Sequence, residues 1–179
     1  MTGVQTCALP IFAQYLLDLG FSRAATAGIL GNIQCESGFK PDSDFRANNA
    51  YESNKNMVAG LFQFTNVHDV KTGKLLYPNY DNFKKWIKEN NRDISDWRTS
   101  LDYIFDKNGN YFWEARFRGA LSANQYKNST DPEQAAVDWA RWFEGSTHNK
   151  AGRQRAARRF YNLLGQQPEA SSGDRKSVV

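Results

Sequence analysis

GILGNIQCESGF, residues 28–39, is the stretch that decides the fold. Ala25, Ile29, Ile33 and Glu36 recur at helical spacing, so the run reads as a buried helix whose last turn carries a carboxyl. Ser22 is placed to cap its start, and Gly38 to stop it. A carboxyl at the end of an apolar helix is a costly arrangement. The dipole is negative there, and dry apolar neighbours oppose charge further. A carboxyl in that setting keeps its proton near neutral pH, the state from which it can donate to a glycosidic oxygen. On local features alone, Glu36 reads more simply as a helix-end charge pointing into water.

Moving away from this stretch, the chain has 179 residues, 40% of them hydrophobic, and a mean hydropathy of −0.69. That length suits one domain with a core that needs no disulfide. Aromatic residues reach 14%, enough for both a core and flat surfaces on which sugars stack. A net charge of +4 and a pI near 9.1 fit a polyanionic partner, such as a bacterial cell wall or a nucleic acid, as well as an ordinary solvated surface. No apolar run is long enough to span a bilayer, so no membrane partner is expected. His68 and His148 lack ligand spacing, and no metal or other cofactor is expected. The basic run RQRAARR (153–159) lacks interleaved aromatics and reads as a solvated helix face, not a nucleic-acid surface.

The ends stand apart. MTGVQTCALPI (1–11) has no basic n-region and too short an apolar stretch for a signal peptide. It matches the translation of a common sequencing-library adapter, and DRKSVV (174–179) matches the translation of the opposite adapter end. We therefore expect both segments to be artefacts flanking a fragment; a parent reading frame with natural flanks would overturn this. Without Cys7, Cys35 stands alone, and a core role suits it better than a nucleophilic one.

FAQYLLDLG (12–20) reads as a first short helix, followed by the helix of the opening stretch. Residues 40–57, KPDSDFRANNAYESNKNM, form a polar loop long enough to suggest function. Residues 60–77 predict a hairpin with a turn at KTGK (71–74). Helices then follow from Asp81, from Ser95, over YFWEARFRGAL (111–121), from a Thr130/Asp131 cap with Pro132 and Glu133, and over 149–165 up to Gly165. QQPEASSG (166–173) reads as a linker-like tail. The expected architecture is one mainly α (α+β) domain over 12–165, with a small β-hairpin beside its cleft.

AGLFQF (59–64) follows the polar loop and offers an amide and backbone groups beside aromatic faces, the mixture that sugar binding needs. Taken together, GNIQCESGFKP (31–41) and AGLFQFT (59–65) resemble the lysozyme-like superfamily, above all phage tail lysozymes, related to goose-type lysozymes and soluble lytic transglycosylases. AAVDWARWFEG (135–145) and GRQRAARRFYN (152–162) extend the resemblance over nearly all of 12–165.

The resemblance implies a lysozyme-like helical fold and a peptidoglycan-cleaving glycosidase acting on the β-1,4 bond between N-acetylmuramic acid and N-acetylglucosamine. It implies Glu36 as general acid, Ser37 as a residue positioning that acid or the substrate, and Gly60, Leu61, Phe62 and Gln63 at the subsite of the cleaved bond. It also implies a module of a phage tail protein, acting in the cell wall or periplasm, with other tail proteins as possible partners. An endolysin-type hydrolase and a non-catalytic glycan-docking domain are the alternatives.

A hydrolase of this class usually needs a second carboxylate. Asp44 and Glu52 on the polar loop are the candidates, while Asp42 after Pro41 reads as a turn former. Relatives that work with one Glu use the substrate's acetamido or 6-hydroxyl group instead. Tyr51 is a stacking candidate on the same loop. Glu144, which ends its helix as Glu36 does, faces the cleft or pairs with Arg153 or Arg155; the pairing is the expected reading.

Overall fold

The computed structural model describes residues 5–42, 44–46, 57–69, 71–109, 111–119 and 121–166. Tyr51 and Glu52, tail residues 167–173 and the segments 1–4 and 174–179 lie outside the described residues. In chain order the elements are α1 (Gln5–Asp18), α2 (Arg23–Glu36), β1 (Asp44–Arg46), β2 (Met57–Ala59), β3 (Phe64–His68), β4 (Leu75–Pro78), α3 (Asn79–Glu89), α4 (Trp97–Phe105), α5 (Ala123–Lys127), α6 (Pro132–Asp138) and α7 (Lys150–Gly165). The architecture is mainly α, as the sequence predicts.

α2 runs through the centre because its composition gives it no polar face. Every residue from Ala24 to Ile33 is buried, the pattern of a core helix. Its start and stop are those expected. Ser22 Oγ accepts from the Ala25 amide at 3.0 Å, and Gly38 takes φ 60° beyond the last turn. Two glycines set how closely other helices approach. A Cβ on Gly28 would lie 2.8 Å from the backbone of Ala135 in α6, and one on Gly31 would lie 2.9 Å from the backbone of Ala157 in α7. Side chains are excluded there, so α6 and α7 pack backbone to backbone on α2.

Asp131 caps α6, its carboxylate accepting from Glu133 N at 2.8 Å and Gln134 N at 3.2 Å, with Pro132 in the first turn. Beyond Asp138 the helix widens into a π-helical segment, Trp139–Glu144, which Gly145 ends at φ 70°. Its Trp139 is fully buried and packs on Phe143 at 4.2 Å between ring centroids, with Phe62 and Tyr126 also in contact. Much of the aromatic surplus is therefore core.

The described strands form an antiparallel sheet in the order β1-β2-β3-β4. The predicted hairpin is β3–β4, with Val67 opposite Tyr77. A second hairpin precedes it, with Val58 opposite Thr65 and residues 60–63 as its turn. Gln63 therefore sits in a turn rather than on a strand.

Several elements depart from expectation: α3 begins at Asn79, with Asp81 inside its first turn, and Asp96 rather than Ser95 caps α4. α1 begins at Gln5, inside the segment set aside as adapter. The helix predicted over 111–121 is only a 3-10 turn at Trp113–Arg116. Tyr111 and Trp113, two residues apart, both go into the core, and no single helical face can bury such a pair. α5 was not foreseen; a reciprocal Ser122–Gln125 capping box holds its five residues.

Candidate active site

The site is built from the ends of two helices and the first turns of a third. Glu36 closes α2, Glu144 closes the π-helical segment, and Arg153 stands near the start of α7. The Arg153 side chain is 4% exposed and pairs through Nη2 with Glu36 Oε1. Its Nη1 pairs with Glu144 Oε2 at 2.7 Å and also donates to Asn32 Oδ1. Its Nε donates to His148 O at 3.2 Å. Asn32 is itself fixed, because its Nδ2 donates to Gly28 O at 2.8 Å and Ala136 O at 3.0 Å. The guanidinium thus has one orientation, set by three backbone segments. Burial opposes its charge, and the two carboxylates outweigh that and push its pKa up.

The two glutamates differ in their surroundings. The Glu36 side chain keeps 24% of its surface exposed, whereas Glu144 keeps 8%. Burial, then the charge of Glu36, pushes the Glu144 carboxyl up to about 8, with Arg153 opposing. Glu144 is therefore the drier of the two. Both reach the same cation, so the difference lies in the aromatic residues packed around Glu144.

A groove of about 710 Å³ opens beside the cluster, within the usual range for ligand sites. Glu144, Phe62, Gln63, Tyr77, Phe112 and Trp142 line it, with Arg116 and Arg118. The Gly60–Gln63 turn forms one wall. Gly60 adopts φ 75°, and a Cβ there would sit 2.6 Å from Ser100 Oγ. That hydroxyl accepts from Leu61 N at 3.0 Å, and Gln63 Nε2 donates back to Gly60 O at 2.9 Å. The turn is tied to α4 through Ser100 and braced internally by Gln63.

Of the residues predicted for the site, Phe62, Gln63 and Glu144 come together on the groove, and Arg153 joins Glu144 to Glu36. Glu144 does both things weighed for it, lining the groove and pairing with Arg153. Leu61 is fully buried and Gly60 is buried too, so the Leu61 side chain serves the core, not the substrate. Ser37 turns its hydroxyl back onto Ile33 O at 3.3 Å. Asp42 is exposed. Asp44 lies opposite Ala59 in the sheet, one residue before the Gly60 turn. Tyr51 and Glu52 lie outside the described residues. Cys35 is half-buried, and burial pushes its thiol up, away from the reactive thiolate.

Sequence reasoning missed the structural weight of Arg153 and Asn32. The basic run is not wholly a solvated face, since Arg153 shares the buried stripe of α7 with Ala157 and Phe160. The spacing 153, 157, 160 was the available signal. Among the described residues no group of three or more His, Cys, Asp or Glu side chains is arranged to hold a metal. No helix among them is long and apolar enough to cross a membrane.

A family model described as phage tail lysozyme matches residues 10–164. The chain belongs to that family. Membership brings a lysozyme-like function directed at peptidoglycan and a phage-associated place of action in the cell wall. No curated protein matches the chain.

Proposed function

We propose that this phage tail lysozyme cleaves the β-1,4 bond between N-acetylmuramic acid and N-acetylglucosamine, with Glu36 as general acid, as a module of a tail-associated protein. The observation that carries this reading is the Glu36–Arg153–Glu144 cluster, whose Glu144 lines a groove walled by Phe62 and Gln63 and joins it to Glu36 through Arg153. The groove supplies aromatic faces and an amide for an acetamido sugar, and the cluster supplies proton-donating groups. Protonating the glycosidic oxygen leaves an oxocarbenium-like centre. Water attack then gives muramidase products. Attack by the substrate's own 6-hydroxyl gives 1,6-anhydro ends and needs no second carboxylate. Asp44, beside the Gly60 turn in the sheet register, and Glu52 are the loop residues proposed for the hydrolytic route.

Purified peptidoglycan, digested with the full chain and with Glu36→Gln, tests this by mass spectrometry of the soluble products. Disaccharide muropeptides from the wild type and none from the variant support it. Anhydro ends would identify a transglycosylase and reducing ends a muramidase. A folded wild type that releases nothing from several wall types would leave a glycan-docking tail domain instead.

A further inference from the structure

The mechanism above uses Glu36 and leaves unexplained why a second carboxyl is sealed against the same guanidinium. Glu144 Oε2 is satisfied by Arg153, but Oε1 is buried with no donor facing it among the described residues. Leaving a carboxylate oxygen dry and unbonded is strongly unfavourable. Glu36 and Glu144 pair with the two terminal nitrogens of one guanidinium, Nη2 and Nη1, so the carboxyls face each other across it, and the charge of Glu36 disfavours ionisation of Glu144. Two ionised carboxylates cannot bond to each other; one proton between them supplies the missing bond.

Charge balance points the same way. One guanidinium faces two carboxyls, so full ionisation leaves an uncompensated negative charge, and one retained proton makes the cluster neutral. Among the described residues, the other titratable groups around Glu144 do not supply a second cation. Tyr111 and Tyr126 are neutral phenols whose pKa values burial raises, and Cys35 is a neutral thiol. Arg116 is turned elsewhere, its Nε donating to Phe143 O at 3.2 Å and its guanidinium lying 4.4 Å from the centre of the Tyr111 ring. The π-helical segment that ends in Glu144 is itself a form common at functional positions.

We propose that Glu36, Arg153 and Glu144 together hold one exchangeable proton, resident on Glu144, which passes to Glu36 to arm it as the general acid. At rest Arg153 neutralises Glu36 and Glu144 carries the proton. On arming, the O–H bond at Glu144 Oε1 breaks and one forms on Glu36, and Arg153 then neutralises Glu144. Glu36 gives that proton to the leaving oxygen. The attacking water, or the substrate's 6-hydroxyl, returns one proton to the pair and restores it. Glu144 is on this account a positioning residue for the proton, not the group that touches the scissile bond. The inference rests on Glu36 being the acid.

Two readouts test it on the full chain. Infrared spectra between pH 5 and 10 follow the C=O stretch of a protonated carboxyl. The expected result is one such band persisting at pH 7, disappearing near the Glu144 value of about 8, and absent in Glu144→Gln. Peptidoglycan cleavage by Glu144→Gln should fall about 100-fold in kcat with KM little changed, the usual scale of a general-acid contribution. Its alkaline limb should move to lower pH, and Glu144→Asp should recover part of both. A wild type with no protonated carboxyl at pH 7, a band that survives Glu144→Gln, or a Glu144→Gln enzyme with wild-type kcat and pH profile would overturn the proposal. If the band behaves as expected but the wild type cleaves nothing, the proton is placed correctly and the enzymatic reading falls.

Discussion

QCESG at residues 34–38 and WFEG at 142–145 are two versions of one device. Each ends a helix with a glutamate and a left-handed glycine, Gly38 at φ 60° and Gly145 at φ 70°. Each glutamate binds Arg153. Yet one carboxyl stays partly wet and the other is sealed and driven up to about 8. The helix end alone therefore does not make a proton-holding carboxyl. What differs is the wall. Around Glu144 stand Phe143, Tyr111 and the aromatic core, whereas Glu36 closes a turn whose neighbours Cys35 and Ser37 are only half-buried.

The severest disturbance of this pair is removal of the cation they share. Arg153→Met should cost about 3–5 kcal/mol of stability at pH 7, because the buried cation that pairs with both glutamates is gone and Glu36 loses its counter-charge. Chemical denaturation measures it, and the loss should grow at pH 9, above the Glu144 value of about 8, where that carboxyl has given up its proton. Equal losses at both pH values would mean that Arg153 acts through packing alone.

A smaller effect separates the two glutamates by linkage. The Glu144 pKa in the folded chain lies above its ordinary value of 4.5, so the folded protein binds more protons than the unfolded chain between about pH 4.5 and 8. Its contribution therefore favours folding at low pH and is lost as pH rises through that window, by at most about 1.4 kcal/mol per unit for one proton. Denaturant midpoints taken across the window should slope downward in the wild type and flatten in Glu144→Gln. A slope that persists in that variant would assign it to another group.

The smallest expected effect concerns what the two ends share. Neither glycine stop is crowded: among the described residues, a Cβ on Gly145 meets nothing within 4 Å, and one on Gly38 meets only Gln34 Nε2 at 3.9 Å. Gly38→Ala and Gly145→Ala should each cost about 1–2 kcal/mol, from the left-handed backbone alone. Similar thermal shifts for both would confirm that the stops are equivalent and that the difference lies in the walls.

Local signals carried much of the fold. Ser22 and Asp131 mark helix ends through bonds to their own neighbours, and Gly38 and Pro132 through their backbone conformations, so both signals are local to the chain. The segment 111–121 misled because Tyr111, Trp113 and Phe117 answer to the core rather than to a helical period. In the site, Glu36 and the Gly60–Gln63 turn were readable as motifs. Glu144's proton was not, because its cause is burial by Phe143 and charge from Glu36, residues brought to it only by packing. Arg153 lay half in view. Its basic neighbours suggested solvent, and only its register with Ala157 and Phe160 placed it inside.

Gly28 and Gly31 act as the gauge of the site. They fix how far α6 and α7 stand from α2, and the three side chains of the cluster ride on those helices or their extension. A single added methyl at either position would have to move backbone, not a flexible tip, and close-packed interiors pass such displacements on. Spacing among carboxyl, guanidinium and carboxyl is thus written into two residues that carry no side chain. The tolerance of this protein to change should be narrowest where its sequence looks most featureless.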